Sequence, residues 1–235
     1  MMADNYVLAV GAHCGDMEIS AGMVVAKLAR LGKRTVFLHL TPGEKGHKTL
    51  SPDAYAAQKR REAVAAAEAF GGEALFLPYK DGELPADEAL KFQIADIIRE
   101  VRPKVLLAHW TGSMHKDHTA AGEVIPDAVF YAAIRGFERP LPAHGVVRTY
   151  YTENWEDPID FRPELFAEVE QQDVDLWEQA CRKYALFDGG VSDFDYLTYY
   201  RSLARVRGLE IMSPTGLAQA FGLPPLSRRR RVSEI

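Results

Sequence analysis

The chain has 235 residues, 47% of them hydrophobic, and a formal net charge of −5, enough apolar material for one sizeable core and an acidic balance that argues against general nucleic-acid or anionic-membrane binding. No stretch approaches the roughly 18 consecutive apolar residues of a membrane span, and the amino-terminal MMADNYVLAV lacks the basic and long apolar regions of a signal peptide. A cytoplasmic protein is expected, with Cys14 and Cys181 too far apart in sequence, in a reducing compartment, for a disulfide.

In chain order, short runs rich in Val, Leu and Phe at 6–12, 35–41, 74–78 and 104–109 read as strands, and Ala-rich stretches at 18–31, 53–70 and 87–101 read as helices between them. Within EISAGMVVAKLARLG, Ala21, Val24, Val25, Leu28 and Leu31 share one helical face, Lys27 and Arg30 point away, and Gly32 follows as a C-cap. Two further helices are predicted at 117–135 and 163–187, a strand at 146–152, and a surface loop in ERPLPAHG. This alternation predicts an α/β fold, a Rossmann-like doubly wound and mostly parallel sheet flanked by helices. One domain over 1–235 is expected, with about 225–235 a flexible basic tail.

In open sheets of this kind ligands bind outside the carboxyl ends of the strands. Polar residues gather there: AHCGDME after the first strand, TPGEKGH after the second, YKDGEL after the third and HWTGSMHKDH after the fourth. His13, His109, His115 and His118 lie at or just beyond two of these ends, whereas His39, His47 and His144 are assigned to packing or surface. His115 and His118 are three apart, a spacing that a helical turn puts on one face. Two histidines and a carboxylate from two strand ends match the ligand set of a hydrolytic zinc centre with an open position. A nucleotide-binding reading fails because Gly11, Gly15 and Gly22 do not form G-x-G-x-x-G, and Asp16 lies where a phosphate would approach.

With AHCGDME and HKDH in view, the chain resembles the PIG-L/LmbE-like zinc-dependent N-acetylglucosaminyl deacetylases, whose corresponding motifs are A-H-P-D-D and H-P-D-H. LTPGEKG is similar to that family's T-x-G-E-x-G loop, YKDGEL to its D-G-x-L turn, and YRSLARVRGLEIMSPTGLAQAF to its C-terminal segment. The resemblance implies that His13, Asp16 and His118 hold zinc or another divalent transition metal and that His115 stands near the reacting carbonyl. Asp117 is then a partner that orients one of the two motif histidines. Lys59, Arg60, Asp81 and Glu44 become candidates for substrate contact, although Lys59 stands where the family frequently has an arginine and lacks its planar fork.

The family's first aspartate, which takes a proton from the attacking water, has Gly15 in its place here, so the resemblance carries the expectation of a site that keeps its metal ligands and has lost a part. Glu18, Glu44 and Asp117 are candidate surrogates, Glu18 being nearest in sequence but also where a helix N-terminus favours a carboxylate. Cys14 as ligand or nucleophile is a further alternative. The implied function is zinc-dependent hydrolysis of an N-acyl group from an acetamido sugar or its conjugate. The alternative is a catalytically impaired, metal-containing module that binds a sugar or carboxylate. The expected partner is a small N-acetylated molecule, with no nucleic acid and no membrane span, and a homo-oligomer is left open.

Overall fold

A computed structural model describes residues 5–224; the basic tail lies outside them. Seven strands form one sheet: β1 (Asn5–Gly11), β2 (Arg34–His39), β3 (Glu73–Phe76), β4 (Val105–His109), β5 (Arg148–Thr152), β6 (Leu165–Glu168) and β7 (Ala218–Gly222). Six helices join them: α1 (Asp16–Arg30), α2 (Pro52–Ala69), α3 (Glu88–Val101), α4 (Lys116–Ala133), α5 (Gln171–Cys181) and α6 (Tyr196–Glu210). The strand order is β3-β2-β1-β4-β5-β7-β6, parallel from β3 to β5, with β7 antiparallel to both its neighbours. This is the expected Rossmann-like α/β architecture.

Successive strand residues point to opposite faces, and both faces are covered. Val7, Ala9, Phe37 and Leu107 pack against buried residues of α1, α2, α5 and α6; Leu8, Val10, Val36, Leu38, Leu106 and Ala108 pack against those of α3 and α4. Burial on both sides explains why these strands read as continuous apolar runs instead of alternating ones. Local signals set the helix starts. Ser51 accepts from the Ala54 backbone N–H ahead of Pro52, and Asp87 accepts from that of Leu90 at 3.0 Å.

One predicted element is corrected. The single helix expected over 163–187 is instead the edge strand β6 followed by α5, with Glu170 and Asp173 forming a reciprocal capping box at the boundary. A strand of four residues is too short to show its own period, and its apolar residues merged with those of the helix.

The chain leaves β1 and β4 in opposite directions along the sheet, since β1 leads out to β2 and β3 while β4 leads to β5. That reversal opens a crevice between adjacent strand ends, and the loops after β1 and β4 carry the clustered histidines. Among the described residues no helix is long and apolar enough to cross a membrane.

Candidate metal centre and active site

The β1–α1 loop supplies His13, Asp16 opens α1, His115 ends the β4–α4 loop as the cap of α4, and His118 lies in the first turn of α4. His13 Nδ1 lies 3.2 Å from Asp16 Oδ2 and 3.3 Å from His118 Nε2, and His118 Nε2 lies 3.5 Å from Asp16 Oδ2. A tetrahedral ion with ligand distances of about 2.0–2.2 Å has donor–donor edges of roughly 3.3–3.6 Å. The triangle therefore has the size that one small divalent ion requires.

Both histidines are backed by carboxylates on their other nitrogen. His118 Nδ1 is 3.0 Å from Asp157 Oδ1, and His13 Nε2 lies 3.3 Å from Asp81 and 3.4 Å from Asp117. Neither contact of His13 Nε2 is a well-aimed hydrogen bond. A carboxylate behind a ligating imidazole fixes its tautomer and raises its basicity. Burial by itself would lower the His13 imidazole, but Asp16, Asp117 and Asp81 hold it well above its ordinary value; loading a metal must displace that proton.

Overlapping donor clusters also include Asp16/His109/His118 and His13/His115/His118. His109 is spoken for, with Nδ1 3.1 Å from Asp157 and Nε2 3.0 Å from Asp16. Burial opposes its charge, yet hydrogen bonds to these two carboxylates raise it to about 9, which favours a charged ring bracing Asp16 in the metal-free protein. His115 caps α4, its Nδ1 accepting from the Asp117 backbone N–H at 3.2 Å. That contact assigns the remaining proton to Nε2. Burial and the neighbouring His13 and His118 lower its pKa, making it a neutral donor.

A cavity of about 200 Å³ opens beside the triangle, lined on its polar side by His13, Asp16, Lys59, Asp81, His115 and Glu156. Tyr55, Trp155, Phe187 and Tyr196 also line it. Gly43 lines it too, with a φ of +75° that strains any L side chain, and a Cβ there would make a tight 3.0 Å contact with that of His13.

The other sequence candidates have these places. Lys59 is buried and donates to the Cys14 carbonyl, with its ammonium 5.9 Å from the Tyr55 ring centre. Arg60 stacks its guanidinium 4.9 Å from the Phe76 ring and does not line the cavity. Glu44 accepts from the Asp81 backbone N–H at 3.1 Å and so shapes the loop that carries Asp81. The Asp117 carboxylate turns to His13 and to the Gly82 and Leu84 backbone N–H groups, and not to the rings of His115 or His118. Glu18 is fully buried, accepts from the Tyr184 hydroxyl at 2.7 Å and does not line the cavity. Cys14 is buried with Sγ facing the Thr41 carbonyl, and burial pushes its thiol up, so no thiolate is on offer.

The expectation of a site depleted at Gly15 is corrected. The donor clusters carry intact aspartates, Asp16, Asp81 and Asp117, from the start of α1, the loop after β3 and the first turn of α4. Gly15 itself has a φ of +106° as the residue before α1, and a Cβ there would meet Phe187 Cζ at 2.9 Å. Its role is conformational. Gly15→Ala should therefore cost roughly 1–3 kcal/mol in a denaturant titration, through strain and overpacking; an unchanged midpoint would refute that account.

The segment ENWEDP, at the carboxyl end of β5, supplies what the sequence reading missed. Asp157 there clasps His109 and His118 together, and hydrogen bonds from these two hold its carboxyl down at about 2 against the effect of burial. The segment follows a strand, where the strand-end rule applies, but its three carboxylates, Glu153, Glu156 and Asp157, form no motif.

Two histidines and one carboxylate at the switch point of a doubly wound sheet, beside a pocket, form a cluster able to hold a metal ion, and together with the family match they support a deacetylase-type hydrolase. The chain belongs to the PIG-L family, described as GlcNAc-PI de-N-acetylase, which it matches over residues 8–129. It is 26% identical over 222 residues to a 4-oxalmesaconate hydratase of Pseudomonas putida, covering 91% of this chain and 83% of that one. It is 29% identical over 213 residues to a diacetylchitobiose deacetylase of Thermococcus kodakarensis, covering 81% and 80%. The crystal structure of a 4-carboxy-2-hydroxymuconate hydratase from P. putida superposes with a TM-score of 0.84 at 24% identity, over 98% of this chain and 99% of the other.

Proposed function

We propose that the chain holds a zinc ion through His13, Asp16 and His118 and hydrolyses the N-acetyl amide of an acetamido sugar or its conjugate. The observation that carries this reading is the triangle of donor atoms with edges of 3.2, 3.3 and 3.5 Å beside the cavity. An ion bound there supplies positive charge that polarises a carbonyl oxygen and makes a nearby water more acidic. His115 presents its Nε2–H to the oxygen on which negative charge develops. Tyr55, Trp155 and Tyr196 give the cavity aromatic lining suited to a sugar, and Lys59 lines it with them. The Thermococcus relative, a diacetylchitobiose deacetylase, supports the substrate class.

Hydration of a carbon–carbon double bond in a carboxylate is a second reading, supported by the breadth of the match to the Pseudomonas hydratase. Charge does not separate the two readings, because Lys59 together with a bound divalent ion offsets Asp16, Asp81 and Glu156 in the lining. Zinc-loaded protein assayed with N-acetylglucosamine conjugates and with unsaturated carboxylic acids separates the two. Amine release supports hydrolysis, loss of the conjugated chromophore supports hydration, and tight binding without either supports a binding module. His115→Ala should keep its metal and lose roughly 10²- to 10³-fold in turnover; loss of metal would contradict its assigned part.

A further inference from the structure

Most carboxylates around the cavity are engaged. Asp16 Oδ2 accepts from the His13 backbone N–H at 2.7 Å and faces His109 Nε2 at 3.0 Å. Asp81 accepts from the Lys45 backbone N–H at 2.9 Å and faces His13. Asp117 and Glu44 each hold backbone N–H groups of the loop at 81–84. Glu18 is sealed against Tyr184. Each of these is committed to fixing a loop or a ring.

Glu156 is different. It lines the cavity, and no hydrogen bond to its carboxylate is present among the described residues, while its Oε2 lies 3.8 Å from His118 Nε2, the corner of the donor triangle. Its backbone is nonetheless held firmly. The Glu156 carbonyl accepts from the Met114 N–H at 2.7 Å and the Ser113 hydroxyl at 3.0 Å, and its N–H donates to Asn154 Oδ1 at 3.1 Å. Asp157, one residue on, is locked onto His109 and His118. A rigid turn thus sends one carboxylate behind the histidines and leaves the next in the cavity with open lone pairs.

We propose that Glu156 is the proton-transfer carboxylate of this site; the inference rests on the amide-hydrolysis reading above. Water attacks the carbonyl carbon as its proton passes to Glu156 Oε2, forming the new C–O bond. The C–N bond then breaks with its electron pair going to nitrogen, which takes that proton back from Glu156. The products are a carboxylic acid and an amine, and Glu156 is regenerated as a carboxylate. His115, whose Nδ1 accepts from the Asp117 backbone N–H at 3.2 Å, presents Nε2–H to the oxyanion, and one carboxylate serving first as base and then as acid completes the balance.

The test compares wild type with Glu156→Gln, an isosteric change at a side chain without hydrogen bonds. The variant should keep the wild-type unfolding midpoint and metal content and lose roughly 10²- to 10⁴-fold in turnover. A second readout needs no substrate. Acetohydroxamate chelates a loaded metal and carries an acidic proton beside it, so the variant should bind this probe at least about tenfold more weakly. Unchanged turnover in the variant, or loss of its metal, would overturn the inference, the latter because Glu156 would then be a ligand. Should wild type hydrolyse no amide, the functional reading falls and takes this step with it; should wild type hydrolyse amides while the variant binds hydroxamate equally well, Glu156 alone is removed.

Discussion

His118→Ala is expected to release the metal from the protein. With His118 gone, the open tetrahedral set falls to His13 and Asp16, too few for a catalytic zinc site, and Asp16 is already shared with His109 at 3.0 Å. Elemental analysis after dialysis should give about one metal per chain for wild type and almost none for the variant. Asp16→Ala should behave alike. Full occupancy in both variants would mean that the ion sits elsewhere, and the neighbouring cluster of His13 with Asp81 and Asp117 would become the place to look.

Asp157→Ala should produce the second large effect, and on stability as well as metal. Asp157 is fully buried and faces both His109 Nδ1 at 3.1 Å and His118 Nδ1 at 3.0 Å. Removing it leaves a buried imidazolium without one of its two carboxylates, a change of about 3–5 kcal/mol by analogy with broken buried ion pairs. Metal affinity should fall about 10- to 100-fold, because His118 loses the group that orients it. The pH dependence of the metal-free protein carries the same signature. His109 is raised to about 9, so its contribution is complete below its unfolded value near 6.5 and is lost as pH rises through 9. Asp157, lowered to about 2, contributes above its unfolded value near 3.8 and loses that contribution as pH falls through 2. Denaturant midpoints should peak between these limits, and in Asp157→Ala the decline towards alkaline pH should shrink. An unaltered alkaline limb would show that Asp16 alone holds the His109 proton.

Much of this was legible because it is local. Apolar runs buried on both faces announced parallel strands, and the strand-end rule drew attention to the loops holding His13, Asp16, His115 and His118. The boundaries at 163–187 were less legible because β6 has four residues and merges with the apolar residues of α5. Gly15 misled for a related reason. Adjacent residues invite comparison with a motif, yet the carboxylates of the site come from residues 16, 81, 117, 156 and 157, which only the folded chain brings within reach of one another.

By itself the sequence determined the α/β class and the identity of the histidines at the first and fourth strand ends, since hydrophobic period and loop chemistry act over a few residues. Tertiary structure decided which nitrogen of each histidine faces the others, which carboxylate stands behind it, and why position 15 must be glycine: Phe187, from 172 residues further along the chain (187 − 15), fills the space beside it. Distances of a few tenths of an ångström separate a ligand from a brace, and they are set by packing across the sheet, to which no local pattern of residues is sensitive.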